Sequence, residues 1–290
     1  MSKGQAASQV RSATDAADLD APPPPGGAPV GRGAAGPLLW TVDGVPLATR
    51  CWTSESARGA VVLVHGLTGT KDDPRIAMLA EELHTRGFDV LAYDARGHGG
   101  SGGRCTLGHR ERHDVAAAVA WAKTRSENTV VVGASLGAIA ALSYAATVRD
   151  LTGVVAVSSP ADWRLPLRPR SFLTAGLART SIGRAYVRSR MNVRIARWSS
   201  PESPRSLIQE VGCPLVAVHG LRDPIIPASM GLGTLLRGNP LRSAVLVGSM
   251  GHAFDPVGIE PICEALEWAM DRARSGTRRF RQARTTAVPA

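Results

Sequence analysis

The 290-residue chain has little cysteine. Cys51, Cys105, Cys213 and Cys263 stand far apart and no two form a C-x-x-C pair. The spacing therefore supports neither a zinc site nor a disulfide framework, and reads as reduced, mostly buried thiols. Long apolar runs are missing too. None approaches the ~18 residues needed to span a bilayer, and Met1 to Asp20 has no apolar core of the signal-peptide kind. The expected compartment is the cytoplasm. Aromatic residues are only 4% of the chain and no nucleic-acid motif is present, so a nucleic-acid partner is not expected in spite of the net charge of +10. No internal repeat is visible.

What the chain does hold is ordinary for one globular domain, with 44% hydrophobic residues. Residues 1–36, rich in Ala, Gly, Ser, Asp and Pro, bury too little apolar surface to offset their ordering entropy and read as a disordered N-terminal tail. Residues 272–290 carry six arginines and no acid, and read as a basic C-terminal tail. The folded body spans 37–271. Within it, Leu38–Val42 and Val45–Trp52 flank Asp43-Gly44 and predict a hairpin with a two-residue primed turn. Apolar strands are predicted at Val61–Val64, Phe88–Tyr93, Val130–Val132, Val154–Ser158, Leu215–Val218 and Ala244–Val247. Helices are predicted at Pro74–Arg86, Asp114–Arg125, Leu136–Ala146 and Ile259–Arg272. Strands alternating with helices predict an α/β fold of three layers, its sheet mostly parallel after an antiparallel N-terminal hairpin.

Residues 160–211 interrupt this alternation with far more chain than a crossover needs. They read as a helical lid insertion, with amphipathic pieces at Phe172–Leu177 and Tyr186–Trp198. Ten arginines from Arg164 to Arg205 outnumber the acids there, so the basicity of the chain concentrates in this lid and the C-terminal tail.

The chemistry starts at Gly133-Ala-Ser135-Leu-Gly137, between a β-branched strand and a helix of small residues. A sharp turn there holds the serine in a strained backbone conformation, and glycines two residues either side leave room for strand and helix to pass. Such a serine needs a base to take its proton and a carboxylate to fix that base's tautomer. This nucleophile motif resembles that of the α/β-hydrolases, and the resemblance implies that acid and base follow the serine in chain order, each at the C-terminal end of a strand. Asp223 follows the strand at 215–218, with Asp162 as a rival. Among seven histidines, only His252 follows the acid on a loop after a strand; His65 and His98 belong to glycine turns on earlier loops, and His219 precedes the acid. An oxyanion hole needs two fixed backbone N–H donors. Leu136, directly after the serine, and Leu67, at the end of the first parallel strand, are the candidates.

His65-Gly-Leu-Thr-Gly-Thr70, Tyr93-Asp-Ala-Arg-Gly-His-Gly-Gly-Ser101, Gly133-Ala-Ser-Leu-Gly137, His219-Gly-Leu-Arg-Asp223 and Gly251-His252 occur in one order. Together they resemble the α/β-hydrolase superfamily, nearest to its monoacylglycerol-lipase-like and feruloyl-esterase-like serine hydrolases. The resemblance covers residues 38–271 apart from the lid. It implies hydrolysis of a carboxylic ester or thioester through an acyl-enzyme, with no cofactor and no metal. Two alternatives remain open: an acyltransferase or biosynthetic thioesterase using the same triad, and a non-catalytic ligand-binding protein on a hydrolase scaffold. Met78, Trp163, Phe172 and Leu173 are candidates for an acyl pocket. Arg188 and Arg190 are candidates for gripping an anionic group, either a phosphopantetheine on the leaving group or an anionic membrane surface.

Overall fold

A computed structural model describes residues 33–162, 180–197, 199 and 201–275 of the protein. Trp163, Phe172 and Leu173, the helix expected at 172–177, and residues 1–32 and 276–290 of the two expected tails lie outside the described residues. Eight strands form one sheet in the order β1 (Ala34–Ala35), β4 (Thr49–Trp52), β6 (Phe88–Tyr93), β5 (Gly59–Val64), β7 (Thr129–Ala134), β8 (Gly153–Val157), β9 (Leu215–Gly220), β10 (Arg242–Val247). From β6 to β10 every neighbouring pair is parallel, whereas β4 runs antiparallel to both β1 and β6.

The alternation of side chains builds the layers. On β7, Val131 points into one core with Val62, Leu91 and Val154, while Val130 and Val132 point into the other with Val61, Leu63 and Val155. Both faces are therefore apolar, and helices cover both. Helices α2 (Glu111–Arg125) and α3 (Leu136–Ala145) lie on the first face. On the second lie α1 (Pro74–Thr85) and the C-terminal helix α6 (Ile259–Ser275), whereas the buried side chains of α4 (Ser181–Met191) and α5 (Pro204–Glu210) join the first core.

Four expectations need correction. The predicted hairpin exists only as the short pair β2 (Leu39–Trp40) and β3 (Pro46–Leu47), a sheet of its own. Its loop closes through Thr41 N–H to Val45 O and Gly44 N–H to Thr41 O, with Gly44 at φ +75°, so three residues turn rather than two. Thr49–Trp52 then leaves it to pair with β6 and becomes the antiparallel strand of the main sheet. Secondly, Ala34 and Ala35, expected in the disordered tail, pair with β4. Thirdly, the helix expected over 186–198 stops at Met191, because Asn192 takes a left-handed conformation (φ 52°) that ends it. The following backbone instead pairs with Cys105, through Cys105 N–H to Arg194 O at 2.7 Å and Ala196 N–H to Cys105 O at 2.8 Å. Fourthly, α6 continues past 271. Arg272 is buried and donates to Pro240 O at 3.0 Å, so it belongs to the body and not to a tail.

All four cysteines are buried. Burial pushes the thiols of Cys51 and Cys213 up to about 11 and that of Cys263 to about 12. Among the described residues no helix is long and apolar enough to cross a membrane.

Candidate active site

Parallel strands deliver their following loops to one edge of the sheet, and every catalytic candidate lies on such a loop. After β7 the chain turns sharply into α3, with Ser135 at φ 53° and ψ −113°. The glycines make this turn feasible. A Cβ on Gly133 would sit 2.4 Å from Gly137 O, and one on Gly137 would sit 2.2 Å from Val64 O. Any larger residue would drive α3 away from β5 or reshape the turn. Leu136 then opens α3, where the first N–H groups of a helix have no intrahelical acceptor and the dipole favours negative charge.

The loop after β5 passes directly beside the serine. A Cβ on Gly66 would meet Ser135 Cβ at 3.4 Å and Oγ at 4.0 Å. Leu67 follows at once, so the donors proposed for the oxyanion come from two loops that touch.

On the opposite side, Asp223 follows β9 and His252 follows β10. His252 Nδ1 lies 2.7 Å from Asp223 Oδ2. The other carboxylate oxygen accepts the N–H groups of Ile225 at 2.9 Å and Ile226 at 2.8 Å. Burial pushes this carboxyl up, but the hydrogen bond and charge of His252 and the two backbone donors outweigh it. The net pKa lies below the ordinary value of 3.8, so Asp223 is ionised at neutral pH.

The loops of serine and histidine are fastened to the same strand end. Ser135 N–H donates to Val157 O at 2.8 Å, and Ala253 N–H donates to Ser158 Oγ at 3.0 Å. Consecutive residues at the end of β8 thus hold the backbone of the nucleophile candidate and that of the base candidate. Asp162, the rival acid, instead pairs with Arg205 at 3.5 Å.

Three polar residues were legible in sequence but not their partners. His65 and His98, read as turn residues, hydrogen-bond to carbonyls of the loop that carries Leu67. His219 stands on the far side of the acid, its Nε2 3.5 Å from Asp223 Oδ2 and 2.9 Å from Ile226 O. Their placement in glycine-rich strand-end motifs was the only signal available. Met78 lies on α1 outside its buried face and is 44% exposed. Arg188 and Arg190 are exposed in the last turn of α4. Among the described residues no cluster of three or more His, Cys, Asp or Glu could hold a metal ion.

A serine on a strained strand-to-helix turn, followed in sequence by an acid and a histidine on the next strand-end loops of a mostly parallel sheet, defines an α/β-hydrolase. The family model described as "Serine aminopeptidase, S33" matches residues 55–211, more than half of the chain, and the chain belongs to this family of serine hydrolases. No curated protein matches it. Among solved structures it is similar to the Pyrococcus furiosus esterase Pf2001 (22% identity, 84% of this chain and 89% of that one, TM-score 0.62). It is also similar to the α/β hydrolase GrgF from Penicillium sp. sh18 (16% identity, 83% and 98%, TM-score 0.63). Est1E from Butyrivibrio proteoclasticus, solved with ferulic acid bound, is a third (18% identity, 82% and 100%, TM-score 0.58). At these identities the likeness is one of fold.

Proposed function

We propose that the protein hydrolyses a carboxylic ester or thioester through an acyl-enzyme. Ser135 attacks the acyl carbon as His252 takes its proton, and Asp223 holds the imidazole with its proton on Nδ1. The N–H groups of Leu67 and Leu136 stabilise the tetrahedral oxyanion. His252 then protonates the leaving alkoxide or thiolate, and a water activated by the same ring cleaves the acyl-enzyme. The single observation that carries this reading is the 2.7 Å contact between His252 Nδ1 and Asp223 Oδ2, with the His252 loop fastened at Ser158 and the Ser135 turn at the adjacent Val157.

The family description names an aminopeptidase, yet electrostatics favours another substrate. A peptide with a free α-ammonium needs carboxylates near the site, and the segment inserted before β9 is rich in arginine. Arg188 and Arg190, both exposed, suit an anionic leaving group such as phosphopantetheine, which guanidinium groups bind in bidentate fashion. Among the structural relatives Pf2001 is an esterase, which agrees with an ester and not a peptide as substrate.

A fluorophosphonate probe should label the wild-type protein, and Ser135→Ala should abolish labelling. p-Nitrophenyl esters and acyl-CoA thioesters should be turned over, and aminoacyl p-nitroanilides should not. Labelling that survives Ser135→Ala, or turnover confined to the anilides, would refute the proposal.

A further inference from the structure

We propose that His65 and His98 are positioning residues of the oxyanion hole, clamping two successive peptide units of the loop that carries the Leu67 donor. The inference rests on the assignment of Leu67 N–H as an oxyanion donor.

The clamp follows from which atoms can donate. The backbone N–H of Ala95 points at His65 Nε2, at 2.9 Å. An N–H only donates, so Nε2 carries the lone pair and the proton of the neutral ring sits on Nδ1. That nitrogen lies 2.7 Å from Gly66 O and donates to it. Gly66 C=O and Leu67 N–H belong to one planar trans peptide unit, in which carbonyl and N–H point in opposite directions. Fixing the carbonyl on His65 therefore aims the N–H away from the ring. Accepting a hydrogen bond at the oxygen also polarises the same amide and strengthens its N–H as a donor.

His98 holds the next unit. A neutral ring carries one N–H: on Nε2 it donates to Leu67 O at 2.6 Å, and Nδ1 then merely lies near Arg96 O, at 3.1 Å. The two rings meet edge to face with centroids 4.9 Å apart. Both are buried, at 3% and 1% exposure, so water does not compete for these bonds. The titratable groups facing His65 are His98, Asp94 and Lys71, and the Asp94 carboxylate ties the same two loops together by accepting from Lys71 N–H and Gly100 N–H. Burial, with help from His98, lowers the His65 pKa to about 4, so the ring stays neutral and keeps its tautomer at working pH. Gly69 belongs to the device as well: a Cβ there would lie 2.8 Å from His65 Cβ.

A mispointed oxyanion donor weakens the transition state and not substrate binding. We expect His98→Phe, which keeps the ring volume, to lower kcat at least tenfold with KM nearly unchanged, and to weaken a trifluoromethyl ketone inhibitor in proportion. His98→Gln, whose amide N–H reaches the Nε2 position, should restore kcat to within a few-fold of wild type. Equal loss in both variants, or unchanged kcat and inhibitor affinity in folded His98→Phe, would overturn the clamp. Wild-type protein that neither labels with fluorophosphonate nor binds the ketone would instead sink the catalytic reading itself. Should the variants not fold, nitrogen-15 NMR of the wild type decides. The Nδ1–H tautomer of His65 supports the clamp, and the Nε2–H tautomer refutes it.

Discussion

Asp223→Asn separates the chemical role of the acid from its structural one. Oδ1 of Asp223 accepts two backbone N–H groups, from Ile225 and Ile226, and Oδ2 faces His252 Nδ1. In the variant the amide oxygen has to stay at the Oδ1 position, because a flipped amide would aim its NH2 at two N–H donors and leave them unpaired in a buried loop, at about 1–3 kcal/mol each. The NH2 then faces His252 Nδ1 and donates to it. The imidazole proton moves to Nε2, which can no longer accept the proton of Ser135. Loss of the correct tautomer in a serine triad lowers kcat by about 10⁴, equivalent to about 5.5 kcal/mol of transition-state stabilisation. The fold should change little, since size and backbone partners are kept. The variant should also lack one acid-sensitive contribution. The folded carboxyl titrates below its ordinary value, so its ionised form stabilises the native state above that value and the stability is lost as pH falls through the folded pKa. The assay is kcat on a p-nitrophenyl ester from pH 5 to 9, with thermal melts by circular dichroism alongside. A folded variant retaining more than about a tenth of wild-type kcat would refute the tautomer argument, because no tautomer defect is that mild.

Two further outcomes follow from the same geometry. Gly137→Ala places a Cβ 2.2 Å from Val64 O and 2.5 Å from His65 O; it should cost about 1–3 kcal/mol of stability and depress turnover, while Gly248→Ala, with nothing within 4 Å, should melt like wild type. His65 makes the protein acid-sensitive: its pKa falls from 6.5 unfolded to about 4 folded, so the unfolded chain binds the extra proton across that window and the native state loses about 3 kcal/mol as pH falls from 6.5 to 4. Urea midpoints of wild type and His65→Asn measured across that range should converge at the acid end, and parallel curves would contradict the buried neutral ring.

Much of the candidate site was legible because its signals are local. Glycines two residues either side of Ser135 are a steric requirement of the turn, and a β-branched strand before it with a small-residue helix after it fixes the context. Asp223 and His252 could be chosen because strand ends are visible as apolar runs, and parallel topology sends all their loops to one edge. The sequence misled where a residue's partner lies far along the chain. Tyr186–Trp198 has helical periodicity, yet the helix ends at Met191 because residues 194–196 gain backbone partners near Cys105. Arg272 resembles a tail arginine, but a carbonyl 32 positions away holds it.

The amino-acid sequence by itself determined the layered fold and the strained glycine-flanked turn at Ser135, and singled out the acid and base candidates, since sterics and hydrophobic periodicity act over a few residues. Only the tertiary structure decided what His65, His98 and His219 do. A histidine's tautomer and role depend on which donors and acceptors stand 3 Å from each ring nitrogen. For His65 that means Gly66, its neighbour, and Ala95, thirty positions away, and only the packing of β5 beside β6 brings the second within reach.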